Sequence, residues 1–100
     1  MALRDEYNFD YLENEAFNLV LDELERQLQL EENATVCREE ECVLDMAAYA
    51  LNHVPPMYRA TLLGRIYAPE LNSAHHDRVE RAVREAIRIV RENPPSDIGS

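Results

Sequence analysis

Apolar and charged residues alternate at helical spacing in the first third of the chain. The pattern begins at Asn8 or Asn14 and continues to Leu30. It predicts an amphipathic helix, because residues three and four positions apart share one helical face. The apolar face of this predicted helix is formed by Phe17, Val20, Leu21, Leu24 and Leu28.

An alanine-rich stretch predicts a second helix. Three glutamates precede Cys42, and negative charge is favourable at the N-terminus of a helix, so we expect this helix to open at Cys42. It ends at Asn52, because Pro55 and Pro56 cannot continue a helix. Its predicted apolar stripe consists of Leu44, Ala47, Ala48 and Leu51.

The last periodic stretch predicts a long helix that begins after a capping residue, Asn72 or Ser73, and ends at Glu92. Its apolar stripe is formed by Val79, Ala82, Val83, Ala86, Ile87 and Val90. Arginines recur between these positions at intervals of three or four, so several share one side. They are Arg78, Arg81, Arg84, Arg88 and Arg91.

Residues 58–67 have two interpretations. Gly64 lies near the centre of the segment with aromatic and β-branched residues on either side, which favours a short β-hairpin. A short helix that starts at Pro56 is the alternative. Together these elements predict a mainly α, single small domain of three to four helices over residues 1–95, followed by a frayed tail, 96–100.

The composition supports a folded, mainly helical protein. Apolar residues make up 46% of the 100 residues and only two glycines occur, which argues against a disordered chain and against many tight turns. No window reaches the roughly 18 apolar residues of a membrane span, so we expect a cytoplasmic protein without a membrane partner.

Charge is unevenly distributed along the chain. The net charge is -10, and residues 1–50 contain 14 acidic residues against 3 arginines, whereas residues 51–100 contain 6 against 7. An anionic protein is a poor partner for duplex nucleic acid, which binds basic surfaces. The arginines of the last helix either neutralise the acidic first helix or bind a smaller anion in bidentate fashion.

The two cysteines are candidate metal ligands. In a reducing cytosol, Cys37 and Cys42 are expected as thiols or zinc ligands rather than as a structural disulfide. A structural zinc site needs four ligands, so Glu39, a histidine or a second subunit would have to complete it. Two ordinary cysteines without a metal are the alternative.

The sequence contains no recognisable catalytic motif. The histidines His75 and His76 are adjacent and therefore point about 100° apart in a helix, which favours surface positions over a shared metal. The chain has no nucleophile in a glycine elbow and no phosphate-cradling glycine loop. We therefore expect a protein that is not an enzyme.

A short segment combines aromatic and cationic side chains. Tyr58, Arg59, Arg65 and Tyr67 offer stacking surfaces and bidentate donors, the groups that recognise phosphates and bases. They are the predicted ligand-binding residues, with the arginines of the last helix in reserve. The alternative is that Tyr58 and Tyr67 cover the core.

The run from Cys42 to Tyr58 resembles the late competence development protein ComFB and its relatives. The matching features are Cys42-Val43-Leu44-Asp45, Ala48-Tyr49-Ala50-Leu51-Asn52-His53-Val54-Pro55-Pro56-Met57-Tyr58, and then Thr61, Gly64 and Tyr67. The resemblance covers roughly residues 14–68. Two positions depart from the family pattern: Glu39 stands where a further cysteine is frequent, and Met57 where an arginine is usual.

This resemblance implies a small, mainly helical, homodimeric regulatory domain. It further implies that a cyclic dinucleotide, cyclic di-GMP or cyclic di-AMP, is the ligand and that an unidentified protein receives the signal by direct contact. Some relatives contain zinc, which Cys37 and Cys42 could hold here. The competing hypothesis is a ligand-free dimeric interaction module in competence or motility control, with metal as a stabiliser in one version.

Overall fold

The computed structural model describes residues 2–60 and 73–93. This part of the chain is mainly helical, as predicted, and it contains one small antiparallel sheet whose pairing of residues 13–14 with 58–59 was not predicted. Two single-turn 3-10 helices, Phe9–Tyr11 and Glu31–Asn33, lie between the main elements. The elements are α1 (Leu3–Glu6), β1 (Glu13–Asn14), α2 (Glu15–Leu28), α3 (Glu40–Leu51), β2 (Tyr58–Arg59) and α4 (Ser73–Glu92).

Helix α2 begins at the second of the two predicted starts. The side chain of Asn14 accepts a hydrogen bond from Ala16 N at 3.1 Å and so caps the helix. The buried face is narrower than predicted, because Phe17 and Leu21 are exposed, Leu28 is only partly buried, and smaller or polar side chains take the inner positions. The buried residues are Ala16, Val20, Leu24 and Gln27.

Helix α3 begins at Glu40, two residues before the predicted start, and buries a different stripe. The prediction was wrong for Leu44, which is 61% exposed, and for Ala48, which is also exposed. The buried residues are Cys42, Met46, Ala47 and Ala50. Because Cys42 is joined to Cys37, its side of the helix faces the core, and this orientation moves Leu44 outward.

Helix α4 confirms its prediction in both bounds and buried face. All six predicted apolar positions are buried, and the helix packs against both α2 and α3. The small residues Ala47 and Ala50 of α3 and Ala82 and Ala86 of α4 belong to this shared core. Small side chains allow close approach of helix axes, so α4 completes the core of the domain.

Strands β1 and β2 form an antiparallel pair, with Glu13 opposite Arg59 and Asn14 opposite Tyr58. Asn14 strengthens the junction, because its side chain also accepts a hydrogen bond from Met57 N at 2.8 Å. Residues 58 and 59 are therefore extended, and the alternative of a helix there is wrong. The predicted hairpin turn near Gly64 and the predicted tail 96–100 lie outside the described residues.

The expectation of free thiols is wrong for the state that the structure shows. Cys37 and Cys42 form a disulfide with their Cα atoms 6.0 Å apart, and Cys42 is 1% exposed. Between them, Arg38 donates hydrogen bonds to the carbonyl oxygens of Leu28, Asn33 and Val36. The disulfide and Arg38 together fasten the connection between α2 and α3.

Within residues 2–60 and 73–93, every helix is too short or too polar to cross a bilayer.

Candidate functional site

A cleft of about 250 Å³ lies between the C-terminal end of α3 and the first half of α4. Its α3 wall is a stack of Tyr49 on His53, with ring centroids 4.0 Å apart and an interplanar angle of 19°. Tyr49 lies in the last turn of α3 and His53 lies in the turn that follows the helix, four positions later, which brings the two rings together. His53 Nδ1 lies 2.7 Å from the carbonyl oxygen of Tyr49. Because that oxygen can only accept, Nδ1 donates.

The α4 wall of the cleft supplies positive charge. Arg78, Arg81, Ala82 and Glu85 line it. Among the described residues, Arg78 forms neither a hydrogen bond nor an ion pair, and Arg81 has one long contact of 3.5 Å to the carbonyl oxygen of Asp77. Both guanidinium groups are therefore available to an anion. A flat aromatic stack beside two free guanidinium groups suits a planar ligand that carries phosphate.

One acid lies at the edge of the cleft. The hydrogen bond from Arg88 lowers the pKa of Glu85, so this carboxylate is ionised at neutral pH. Its charge is balanced by Arg88 on the outer side of α4, where the pair is exposed. The negative charge of Glu85 therefore does not cancel the positive charge of Arg78 and Arg81.

The predicted site residues on β2 differ in their availability. Tyr58 is 64% exposed, and it lines a second, open depression of about 580 Å³ together with Leu12, Phe17 and Leu51. Arg59 is committed to carboxylates, because it forms ion pairs with Glu13 and Glu15. Arg65 and Tyr67 lie outside the described residues.

The arginines of α4 find most of their partners on α4 itself. Arg84 pairs with Glu80, and Arg88 pairs with Glu85 and Glu92. Among the described residues, Glu15 of α2 is paired by Arg59, on β2, and Glu23 by Arg26, whose hydrogen bond holds the pKa of Glu23 below its usual range. Arg84 adds to this lowering through its charge, so the row contributes positive charge to α2 without an ion pair to it in the described part of the chain. Neutralisation of the first helix of a partner subunit stays a prediction.

Metal ligands are not assembled in the described residues. Within 2–60 and 73–93, no group of three or more histidine, cysteine, aspartate or glutamate side chains could hold an ion. His76 is exposed in the first turn of α4, as predicted, whereas His75 is partly buried. Cys37 and Cys42 are oxidised, so neither sulfur is a thiolate that could bind zinc. Zinc binding by the reduced pair stays a prediction.

The cleft contains residues that the sequence did not single out. Tyr49 and His53 lie inside the run that carries the family resemblance, at the spacing at which helical side chains meet. The four-residue spacing indicates that the two rings can stack. It does not indicate that the stack lies opposite Arg78 and Arg81, because that position depends on how α3 packs against α4.

Comparison with known families decides the classification. Residues 13–94 match the family model of the late competence development protein ComFB. The chain belongs to the ComFB family. The match spans α2, α3, α4 and the β1–β2 pair, and it indicates a competence-related regulatory protein. No curated protein and no solved structure matches the chain. The segment before residue 13 lies outside the ComFB match.

Proposed function

We propose that this ComFB protein is a non-enzymatic, homodimeric cytoplasmic regulator that binds a cyclic dinucleotide and passes the signal on by protein contact. The observation that supports it best is the cleft in which a stacked Tyr49–His53 pair faces Arg78 and Arg81. A cyclic dinucleotide carries two phosphates and two stackable bases. The cleft offers one set of matching groups.

The size of the cleft fits half of such a ligand. Its volume of about 250 Å³ is below the roughly 300–1,000 Å³ of a typical small-molecule site. A twofold dimer would present the same aromatic stack and the same arginines to each half of a twofold-symmetric ligand. We therefore expect one cyclic dinucleotide for every two chains.

Tyr58, Arg59, Arg65 and Tyr67 remain the second proposed set of ligand contacts. Tyr58 is exposed and ready to stack. Arg59 would first have to exchange Glu13 and Glu15 for a phosphate. The side chains of Arg59, Glu13 and Glu15 are partly accessible to solvent. The exchange of partners therefore costs little free energy.

Calorimetric titration with cyclic di-GMP and with cyclic di-AMP tests the ligand class, with GMP and AMP as controls. The proposal expects a saturable heat from one cyclic dinucleotide and a much weaker response to its mononucleotide. If neither cyclic dinucleotide gives a heat of binding at micromolar protein, the proposed receptor function is wrong.

Substitutions then locate the site. A charged hydrogen bond contributes about 1.5–3 kcal/mol, so loss of Arg78 should weaken binding at least about tenfold. Arg78→Ala with reduced affinity supports the α3–α4 cleft, whereas Arg59→Ala or Arg65→Ala with reduced affinity supports the β2 segment. Asp22→Ala, at an exposed position of α2 outside both proposed sets of contacts, is the control.

The second candidate function is a ligand-free dimeric interaction module in competence or motility control. The ion pairs of Arg59, Arg84 and Arg88 favour it, since these guanidinium groups are already matched by carboxylates. It predicts that Arg59→Ala and Arg65→Ala alter capture of a protein partner and leave small-molecule binding absent.

In its metal-stabilised version, the reduced Cys37 and Cys42 would contribute ligands at the dimer interface. Elemental analysis of reduced protein, purified without added metal, tests it. Zinc well below one ion per dimer would remove this version.

A further inference from the structure

The segment that precedes the ComFB domain is rich in exposed apolar side chains. Residues 2–12, here called the N-terminal arm, bury no residue in either α1 or the 3-10 helix Phe9–Tyr11. Ten large apolar side chains are exposed in the described part of the chain, and five of them belong to the arm. They are Leu3, Tyr7, Phe9, Tyr11 and Leu12. Such a concentration is typical of a segment that docks onto a surface.

The arm is also acidic. Asp5, Glu6 and Asp10 outnumber its one arginine, Arg4. Tyr11 is 73% exposed and follows Asp10 directly. A surface complementary to the arm would therefore have a small apolar centre surrounded by positively charged side chains.

A pocket of this kind lies between the C-terminal end of α2 and the second half of α4. Its volume is about 240 Å³, and its accessible apolar surface comes from Leu30, which is 36% exposed, above the buried Ile87. Four guanidinium groups line it, from Arg26, Arg84, Arg88 and Arg91. Glu32 is the one acid among the lining residues. We call this the arginine pocket.

The arginines of this pocket can change partners at little cost. Arg84 pairs with Glu80 and Arg88 with Glu85 and Glu92, all one helical turn away in exposed positions, whereas Arg26 pairs with the partly buried Glu23. Exposed pairs of this type contribute little to stability, because water screens them, so an incoming carboxylate replaces them readily. Arg91 is held by the amide oxygen of Asn33 and not by a charge.

The arm cannot place Tyr11 in the arginine pocket of its own chain. Arg26 is the first residue of α2 that lines the pocket, and it lies 11 residues beyond Glu15, about 16 Å along the helix axis. Four residue steps from Tyr11 to Glu15 span at most about 14 Å, and strand β1 within them is held against β2. The pocket that Tyr11 reaches must belong to another molecule.

We propose that the arm of one chain docks in the arginine pocket of a second copy. The ring of Tyr11 covers Leu30, its hydroxyl meets a guanidinium group, and Asp10 pairs with Arg88. Reciprocal docking of two arms closes a twofold dimer with the same contact on both sides. This inference rests on the proposed homodimer and specifies how its two chains hold each other.

A photo-crosslink identifies the docking position. Tyr11 is replaced by benzoylphenylalanine, which the fold tolerates because the arm buries no residue. Protein labelled with ¹⁵N is mixed with unlabelled protein before irradiation, and the crosslinked peptides are mapped by mass spectrometry. Mixed-isotope crosslinks to residues 26–33 or 84–91 are expected.

The other outcomes of the crosslink are equally decisive. Crosslinks confined to one chain, or to another surface of the second chain, would overturn the docking. A dimeric mass by sedimentation without crosslinks at the arginine pocket would overturn the arm contact and leave the dimer intact. A monomeric mass at every concentration would overturn both.

Charge exchange provides an independent test by sedimentation equilibrium. Tyr11→Ala and Arg88→Glu should each weaken self-association at least about tenfold, as expected for an anchoring aromatic and a desolvated charge pair. The double variant Asp10→Arg with Arg88→Glu should recover most of the loss, because it restores opposite charges at the contact. Unchanged association in both single variants, or no recovery in the double variant, contradicts the proposal.

Discussion

Asn14 joins the start of α2 to the segment that carries Tyr58 and Arg59. Its side-chain oxygen accepts hydrogen bonds from Ala16 N at 3.1 Å and from Met57 N at 2.8 Å. The first bond caps the helix, and the second fixes the chain before β2. Asn14→Ala removes this single acceptor and therefore both hydrogen bonds at once.

The size of the effect follows from these two bonds. Loss of a helix cap costs about 0.5–2 kcal/mol. Leaving a partly buried amide such as Met57 N without an acceptor costs about 1–3 kcal/mol. Because the two terms overlap and water reaches part of the site, we expect a loss of about 2 kcal/mol in the free energy of unfolding. For a 100-residue domain this is a decrease of roughly 8–16 °C in Tm.

Thermal and urea denaturation followed by circular dichroism measure this loss. Asn14→Asp keeps an acceptor oxygen and should stay within about 1 kcal/mol of the original protein. Asn18→Ala, at an exposed position of α2, is the control and should leave stability unchanged or raise it by about 0.5 kcal/mol. If Asn14→Ala is as stable as the original protein, or Asn14→Asp is as unstable as Asn14→Ala, the account of this junction is wrong.

Three further predictions concern stability. Reduction of the Cys37–Cys42 disulfide should lower the free energy of unfolding by roughly 2 kcal/mol for so short a loop, measured by denaturation with and without excess dithiol, and an unchanged Tm after complete reduction would contradict this. Met46→Ala removes a side chain of 0% exposure and should cost about 2–5 kcal/mol, whereas Leu44→Ala should cost under about 1 kcal/mol; equal losses would show that α3 is oriented otherwise. The pKa of Glu23 is lowered in the folded state, so its ionised carboxylate stabilises the fold above the ordinary glutamate pKa, and this stabilisation is lost as pH falls through the pKa of the folded state. Glu23→Gln should therefore reduce the loss of unfolding free energy at acidic pH, measured by denaturation as a function of pH, and an unchanged acid dependence would count against the Arg26–Glu23 ion pair.

The helices show which parts of the fold the sequence can specify. In α4, apolar residues alternate with charged ones, so a single face can be buried and all six predicted positions are in the core. In α3, small and apolar residues occur on every side, so periodicity alone cannot choose the buried face. The disulfide at Cys42 makes that choice, and spacing in the sequence does not reveal that the sulfurs are bonded.

The predicted ligand-binding residues lie only partly in the described structure, since Arg65 and Tyr67 are outside it, and the arginine and aromatic side chains of the cleft, Arg78 and Tyr49, are different residues. Arg59 was predicted to contact a ligand. Its carboxylate partners lie more than forty positions away in the sequence and reach it only through the β1–β2 pair. Contacts of that range depend on the tertiary fold, which local pattern does not encode.

Calorimetric titration of the original protein and of Arg78→Ala with the preferred cyclic dinucleotide tests the central claim most directly. The account predicts saturable binding with one ligand per two chains, and an affinity for the variant that is at least about tenfold lower. Equal affinities for the two proteins would contradict the α3–α4 cleft as the site. No detectable heat from either cyclic di-GMP or cyclic di-AMP would contradict the proposed function itself.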